Sequence, residues 1–297
     1  MKCFLIYANT YKDKDLAVTK RICGFLKQAG QRAAVVTSGD GGEETESFSE
    51  SLAAGRAGCC DQRERLLKEA DCMIVLGGDG TVLQAAREIG ERNIPIIGVN
   101  LGTLGYMTEI EPANLEEALG RLVAGEYEQE CRMMLEGRVC FLGGGVQEDW
   151  ALNDIVLSRS GSLQIIRFDI YVNGQFLNSY NADGMIVTTP TGSTGYNLSA
   201  GGPLVEPRAR LMMLTPICPH SLHQRSIILS PEDVIDIQIP ECRRGGVQTV
   251  EVNFDGSHVI PLRTGDRIRV TRSEKVTEFI RLNQISFLDV LHRKMQA

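Results

Sequence analysis

The hydrophobic positions of the first 125 residues fall into two alternating patterns. Short, continuous apolar runs predict buried strands over 3–8, 33–36, 72–76 and 95–100. Between them, apolar residues recur at the spacing of an amphipathic helix over 15–28, 62–70, 81–91 and 114–124. Strands that alternate with helices are typical of a parallel sheet covered by helices. We therefore predict an α/β domain over residues 1–125.

From residue 126 the pattern changes to successive strands. Apolar and polar residues alternate on both sides of Asn173–Gly174, a dipeptide that favours a two-residue hairpin turn. We therefore predict a second, β-rich domain over 126–285. The last residues, 286–297, predict a helix with Ser286 as its N-cap. We expect this helix to pack back on the N-terminal domain.

The segment 39–60 interrupts the α/β pattern. It is acidic, rich in glycine and poor in large apolar residues. Such a composition buries too little surface to compensate for the entropy lost on ordering, so we predict a mobile loop. The sequence leaves the role of this insert open.

Charge and composition exclude several classes of protein. The 297 residues carry a net charge of −7, which argues against nucleic acid and anionic membranes as partners. No apolar run reaches the roughly 18–20 residues of a membrane span. The nine cysteines form no C-x-x-C pair, and most lie in apolar runs. We expect reduced, structural thiols in a cytoplasmic protein.

A glycine-rich loop follows the third predicted strand, at Gly77-Gly78-Asp79-Gly80-Thr81. Bare backbone N–H groups at the start of a helix favour a bound phosphate. The chain lacks the P-loop pattern G-x-x-x-x-G-K-[ST], and a carboxylate stands in the loop instead. Beside phosphate, Asp79 can act as a general base or hold Mg²⁺, which indicates a kinase. The alternative is a tight turn in which Asp79 only caps the helix.

A second polar segment spans residues 182–205. It combines five glycines with small polar side chains: Thr188, Thr189, Thr191, Ser193, Thr194, Asn197 and Ser199. Upstream, Asn153–Asp154 places an amide and a carboxylate at the edge of a strand. Such groups suit a ligand with many hydroxyls, for example the ribose of a nucleotide. Ordinary turn chemistry is the alternative for the hydroxyl-rich segment.

Five stretches in this order resemble the NAD kinase family of bacterial type: "GGDGT", "GVNLGTLGYMTE", "LNDIVLSR", "ADGMIVTTPTGSTGYNLSAGGP" and "PICPHSL". The likeness runs from about residue 70 to residue 230, with a weaker match at "VNFDG", residues 252–256. The stretch 188–203 is highly specific. The G-G-D-G loop is not, because phosphofructokinases and lipid kinases have similar loops. The resemblance implies a phosphofructokinase-like α/β domain.

The resemblance also implies the reaction and the site. Phosphate from ATP, other nucleoside triphosphates or polyphosphate would pass, with Mg²⁺, to the 2′-hydroxyl of the adenosine ribose of NAD. Asp79 would be the catalytic base. The residues expected to bind substrate are Asp79, Gly80, Asn153, Asp154, Asn181, Asp183, Thr194, Gly195, Tyr196, Asn197, Leu198 and Ser199. Tyr196 would stack on a base. The resemblance further implies a homodimer or homotetramer, with "PICPH" near the interface.

Three positions depart from the family pattern. Asp154 stands where glutamate is common, Gly195 where alanine is common, and Asn181 where arginine or lysine is common. None involves Asp79, so they affect affinity more than the reaction. Two other functions compete: a lipid kinase with the same loop, and a non-catalytic NAD sensor. The sequence leaves open the phosphate donor, NAD against NADH, dimer against tetramer, and feedback control.

Overall fold

The computed structural model describes residues 1–38, 65, 67–90, 92–161, 164–221, 225–241, 245–282 and 286–296. The chain divides into two compact units. Unit 1 comprises Met1–Cys131 with Thr277–Ala297, and unit 2 comprises Arg132–Val276. The domain boundaries expected from the sequence, at 125 and 285, stay a prediction. The insert 39–60 lies outside the described residues.

Unit 1 contains a parallel sheet. Its strands are β1 (Cys3–Asn9), β2 (Arg32–Ser38), β3 (Cys72–Gly77) and β4 (Ile96–Asn100). They lie in the order β2-β1-β3-β4, each parallel to its neighbour. Because each strand is enclosed on both faces, its sequence is a continuous apolar run. Because the strands are parallel, their carboxyl ends lie along one edge of the sheet.

The helices of unit 1 are α1 (Ala17–Gln28), α2 (Asp79–Ile89) and α3 (Leu115–Ala124). Apolar side chains of α1 and α3, such as Ile22 and Leu119, pack with Phe4 and Ile74 of the sheet in one buried cluster. The helix predicted over 15–28 begins later, because Asp15 and Leu16 adopt left-handed backbone angles, φ 56° and 52°. Of the helix predicted over 62–70, residues 65 and 67–69 are helical, Ala70 is not, and 62–64 and 66 lie outside the described residues.

Unit 2 is built from antiparallel strands. They are β5 (Glu128–Cys140), β6 (Val146–Ala151), β7 (Asp154–Arg159), β8 (Ile166–Val172), β9 (Gln175–Ala182), β10 (Gly184–Thr188), β11 (Met212–Ile217), β12 (Ile227–Leu229), β13 (Ile235–Gln238), β14 (Thr249–Phe254), β15 (His258–Arg263) and β16 (Arg267–Arg281). Strands β5 and β16 begin or end in unit 1. A short helix, α4 (Tyr196–Ser199), follows β10.

Two groups of strands enclose the core of unit 2. One sheet has the order β12-β11-β10-β7-β14-β15. In the other group, β13 pairs with β16 and with β8, and β8 pairs with β9. Leu157, Met185 and Phe254 from the first sheet share a buried cluster with Phe168 and Ile237 from the second group. The prediction of an α/β unit with a parallel sheet and a β-rich unit is confirmed.

Two local predictions are also confirmed. Asn173 and Gly174 join β8 to β9 with φ angles of 51° and 76°, as a type I′ hairpin turn requires. The last helix, α5 (Phe287–Gln296), is capped by Ser286, whose Oγ accepts the N–H of Asp289 at 3.1 Å. In return, the Asp289 carboxylate accepts the N–H of Ser286 at 2.9 Å. None of the helices in the described ranges is long and apolar enough to cross a membrane.

Candidate functional site

Asp79 occupies the start of α2, at the carboxyl edge of the sheet in unit 1. Strand β3 ends at Gly77, Gly78 is the N-cap, and Asp79 is the first helical residue. Its Oδ2 accepts the N–H of Tyr106 at 2.9 Å, and its Oδ1 accepts the N–H of Met107 at 3.0 Å. The alternative in which Asp79 caps the helix is therefore wrong. The carboxylate instead binds the loop that follows β4.

The glycines around Asp79 serve two different purposes. A methyl group built on Gly77 would lie 2.3 Å from Thr81 Oγ1, and one built on Gly105 would lie 2.2 Å from Asp79 Oδ1. These glycines allow close packing of backbone and side chain. A methyl group built on Gly80 would meet nothing within 4 Å. The loop is therefore tight beneath Asp79 and open at Gly80.

Hydrogen bonds join the loops that follow β1, β3 and β4. The amide of Asn9 donates to Thr81 Oγ1 at 3.2 Å, and Leu101 N–H donates to the Gly77 carbonyl at 2.9 Å. Asn9 was not predicted from the sequence as a residue of the site. A polar residue at the carboxyl end of an apolar strand was the available signal, because that end marks the ligand-binding edge of a parallel sheet.

In unit 2, Asp255 holds the turn between β6 and β7. Its Oδ2 accepts the N–H of Leu152 at 2.7 Å, and its Oδ1 accepts those of Asn153 at 2.8 Å and Asp154 at 3.1 Å. Asp255 itself has a left-handed φ of 50°, which aspartate tolerates better than most residues. The stretch "VNFDG" did not by itself predict a role for Asp255. The three bonds show that this residue fixes the backbone of Asn153.

The Asn153 side chain has a buried polar atom without a partner. The backbone carbonyl oxygen of Asn153 accepts hydrogen bonds from the Thr188 hydroxyl and the Thr189 N–H, both at 2.9 Å. Its Oδ1, by contrast, is buried and has no hydrogen-bond partner. A methyl group built on Gly195 would lie 3.7 Å from Asn153 Nδ2, so the start of the 194–199 segment is adjacent. An unpaired buried amide oxygen is costly unless a ligand supplies the missing donor.

Asp154 is buried at the start of β7, opposite Thr188 of β10. Burial, with a smaller contribution from the negative charge of Asp255, raises the pKa of Asp154 to about 7. In the unfolded chain this carboxyl has an ordinary pKa near 3.9. Between these values the folded chain binds more protons than the unfolded chain. The contribution of Asp154 to stability therefore falls as the pH rises from about 4 to about 7.

Replacing Asp154 with asparagine is expected to remove this pH dependence. We expect the difference in Tm between Asp154→Asn and the parent to increase from pH 5 to pH 8. The increase should correspond to roughly 2–3 kcal/mol in the free energy of unfolding. Thermal unfolding without ligand across this pH range measures the difference. Glu148→Gln is the control, since Glu148 pairs with Arg138 at the surface. A Tm difference for Asp154→Asn as flat as that of the control would contradict the raised pKa.

Most hydroxyls of the 188–194 segment bond within unit 2. Thr189 Oγ1 donates to the Leu152 carbonyl at 2.7 Å, and Ser193 Oγ donates to the Val205 carbonyl at 3.1 Å. Asn197 is fully buried and accepts the Thr215 hydroxyl at 2.7 Å. Ordinary turn chemistry, the alternative weighed above, accounts for these side chains. Tyr196 and Leu198 are instead 47% and 43% exposed, so their side chains are accessible to a ligand.

Asn181 and Asp183 lie at the other end of β10. Strand β10 pairs Thr188 with Asp154 and Gly184 with Ser158, so four residues, about 13 Å, separate the two ends. The Asp183 carboxylate forms an ion pair with Arg159, with 3.4 Å between Oδ1 and Nε. The structure thus groups Asn153 and Asp154 with the 194–199 segment and leaves Asn181 and Asp183 apart from them. Binding of substrate by all these residues stays a prediction.

Comparison with known proteins gives the family. Residues 4–127 match the ATP-NAD kinase N-terminal domain, and residues 152–282 match the ATP-NAD kinase C-terminal domain. A NAD kinase of Lachnospira eligens is 43% identical over 99% of this chain and 100% of its own length. The chain belongs to the NAD kinase family. A NAD kinase of Agathobacter rectalis is 42% identical over 99% of both chains.

Two solved structures of NAD kinase family members share the fold. An NAD kinase of Archaeoglobus fulgidus, crystallised with ATP, has a TM-score of 0.73 and 26% identity over 100% of both chains. A yeast NADH kinase, crystallised with NADH, has a TM-score of 0.85 over 100% of this chain and 88% of its own. Its sequence identity is 24%, so it supports the fold alone. The α/β unit and the β-rich unit are thus those of NAD kinases.

Proposed function

We propose that this protein transfers the γ-phosphoryl group of ATP to the 2′-hydroxyl of the adenosine ribose of NAD, giving NADP and ADP. The position of Asp79 carries the proposal. Each of its oxygens accepts one backbone N–H, and each keeps a further lone pair. Asp79 takes the hydroxyl proton, the ribose oxygen forms a bond to the γ-phosphorus, and the bond from that phosphorus to the ADP oxygen breaks.

In this proposal unit 2 supplies contacts to NAD. Asn153 offers an amide whose buried Oδ1 has no partner, which suits a donor group of the substrate. The exposed ring of Tyr196 offers a face for base stacking. Asp154, Asn181, Asp183, Thr194, Gly195, Asn197, Leu198 and Ser199 complete the proposed substrate-binding set, with Gly80 beside Asp79.

The donor set around Asp79 fits Mg²⁺ carried in by ATP. Within the described ranges, no group of three or more His, Cys, Asp or Glu residues forms a metal cage. Mg²⁺ usually keeps several waters and binds one or two carboxylates together with substrate phosphates, a role that Asp79 can fill. The Thr108 hydroxyl oxygen is buried without a partner, and a methyl group built on Gly105 would contact both this oxygen and Asp79 Oδ1. Bound Mg²⁺ would neutralise phosphate charge.

The setting of the reaction is also part of the proposal. We expect a cytoplasmic enzyme of NADP biosynthesis that assembles as a homodimer or homotetramer. Its use of other nucleoside triphosphates, polyphosphate or NADH is open. The lipid-kinase alternative is unsupported, because the match to the NAD kinase C-terminal domain covers the segment that a lipid kinase would leave unexplained. The NAD-sensor alternative is unsupported too, since the relatives are named as kinases and Asp79 is present.

A coupled assay tests the proposed function. Purified protein is incubated with NAD, Mg²⁺ and either ATP, GTP or polyphosphate, and an NADP-specific dehydrogenase reports the product. NADH replaces NAD in a parallel set. We expect NADP with ATP and NAD. If no donor yields product while calorimetry shows NAD bound, the kinase proposal fails and the sensor is favoured.

Tyr196→Ala is expected to weaken NAD binding. Loss of a base-stacking ring costs about 1–3 kcal/mol, so the KM for NAD should rise roughly 5- to 150-fold. The KM for ATP should stay the same. Tyr196→Phe keeps the ring and is the matched control, with an expected KM close to that of the parent. An equal rise in both variants would assign the effect to the phenol hydroxyl and contradict stacking.

A further inference from the structure

Lys12 lies over the glycine loop. A methyl group built on Gly78 would lie 2.9 Å from Lys12 Nζ, and one built on Gly102 would lie 3.6 Å from the same atom. Gly78 belongs to the loop that follows β3, and Gly102 to the loop that follows β4. The ammonium therefore stands where the loops after β1, β3 and β4 come together, next to the N-terminus of α2.

The backbone of Lys12 is fixed by Asn9. The Asn9 side-chain oxygen accepts the N–H of Tyr11 at 3.1 Å and that of Lys12 at 3.3 Å. The Asn9 carbonyl accepts the N–H of Lys12 at 3.0 Å as well. The Asn9 amide nitrogen donates to Thr81 Oγ1 at 3.2 Å, which connects this turn to the first turn of α2. These hydrogen bonds hold the backbone of Lys12 in place, although its side chain is exposed.

The electrostatic environment of Lys12 favours a bound anion. The N-terminus of a helix carries a partial positive charge, and a lysine beside it is unfavourable. Asp79, the acidic residue of the first turn, directs both carboxylate oxygens at backbone N–H groups of Tyr106 and Met107. Over the described part of the chain, the Lys12 ammonium has no hydrogen-bond or ion-pair partner. Two positive groups side by side are stabilised when a phosphate occupies the space they share.

We propose that Lys12 binds the transferred phosphoryl group of ATP and stabilises the charge on its oxygens during transfer. This inference rests on the proposed function. A P-loop places its lysine within the glycine-rich motif, whereas this chain supplies the cation from the segment after β1. The ribose proton passes to Asp79 as described above. Lys12 acts on the donor phosphates, and Asp79 on the acceptor hydroxyl.

Three variants test the role of Lys12. Lys12→Met keeps most of the side-chain length and removes the charge, Lys12→Arg keeps the charge, and Lys14→Met removes a nearby exposed charge. We expect Lys12→Met to lower kcat/KM for ATP about 10²-fold, as for loss of one charge-stabilising donor. Lys12→Arg should recover part of the loss, and Lys14→Met should match the parent. The KM for NAD should be unchanged in all three, and the Tm without ATP should not fall in any of them, since the charge of Lys12 is unfavourable beside the helix N-terminus.

Binding measurements separate the phosphate contact from a structural role. By calorimetry, Lys12→Met should bind ATP more weakly than the parent does, while adenosine, which lacks phosphates, should bind both equally. Turnover of Lys12→Met equal to that of Lys14→Met would overturn the inference, as would equal weakening of ATP and adenosine. A parent that binds ATP more tightly than Lys12→Met does but yields no NADP would support Lys12 and refute the kinase proposal. A parent that does not bind ATP would refute both.

Discussion

Asp79→Asn is expected to lower kcat by about 10²–10⁴, the usual contribution of a general base. Asparagine has nearly the same shape, and its Oδ1 can still accept one of the N–H groups of Tyr106 and Met107. It cannot take the proton of the ribose hydroxyl. The affinity for NAD, measured by calorimetry, should change little. The coupled NADP assay at saturating ATP and NAD gives kcat directly.

The control must share the structural role of Asp79 without its chemistry. Asp71 in the same unit fits, because its Oδ2 accepts the N–H of Lys2 at 2.6 Å and that of Cys3 at 2.9 Å. Asp71 precedes β3, so it lies at the amino edge of the sheet, away from the glycine loop. Both variants should lose about 1 kcal/mol of stability for the weakened hydrogen bonds. Similar kcat values in Asp71→Asn and Asp79→Asn would remove Asp79 from the chemistry.

The sequence predicted the elements well where burial dictates the pattern. Strand β3 is enclosed on both faces, so its apolar run marked the strand to within one residue. The helix predicted over 81–91 spans Asp79–Ile89, because Gly78 begins it and Gly90, with φ 63°, ends it. Helix propensity did not predict these ends, because the glycine-rich loop was interpreted as a turn that ends before Thr81.

The candidate site was predictable only in part. Asp79 stood out because a carboxylate among glycines at the end of a strand indicates phosphate chemistry, whereas Tyr196 was indicated only by the resemblance to the NAD kinase family. Asp255 and Lys12 did not stand out, because their partners are far away in the sequence. Asp255 binds residues 101–103 positions earlier, and Lys12 lies over Gly78. Only the register of β7 against β14 and of β1 against β3 brings these segments together.

Asp255→Ala is expected to destabilise unit 2 by roughly 3–5 kcal/mol, because three backbone N–H groups lose a charged acceptor at once. Those groups belong to Leu152, Asn153 and Asp154. Alanine is also less tolerant of the left-handed φ of 50° at this position. Denaturant unfolding at pH 6 measures the loss, since Asp154, with its pKa near 7, is then mostly protonated. Loss of the Asp255 charge consequently relieves little repulsion at that pH.

Two comparisons assign the effect to the turn. Asp255→Asn keeps Oδ1 for Asn153 and Asp154, loses the acceptor for Leu152, and tolerates the left-handed φ, so about 1–2 kcal/mol should be lost. Asp233→Ala removes exposed acceptors for the Ser230 N–H, at 2.8 Å, and for the Asn173 side-chain amide, at 2.7 Å. Because water can replace both exposed acceptors, this variant should lose less than about 1 kcal/mol. Because the turn fixes Asn153, the KM for NAD should rise in Asp255→Ala and stay unchanged in Asp233→Ala. The prediction would be contradicted if Asp255→Ala were no less stable than Asp233→Ala and had the parent's KM for NAD. Water would then replace the hydrogen bonds of Asp255, and Thr188 and Thr189 alone would position Asn153.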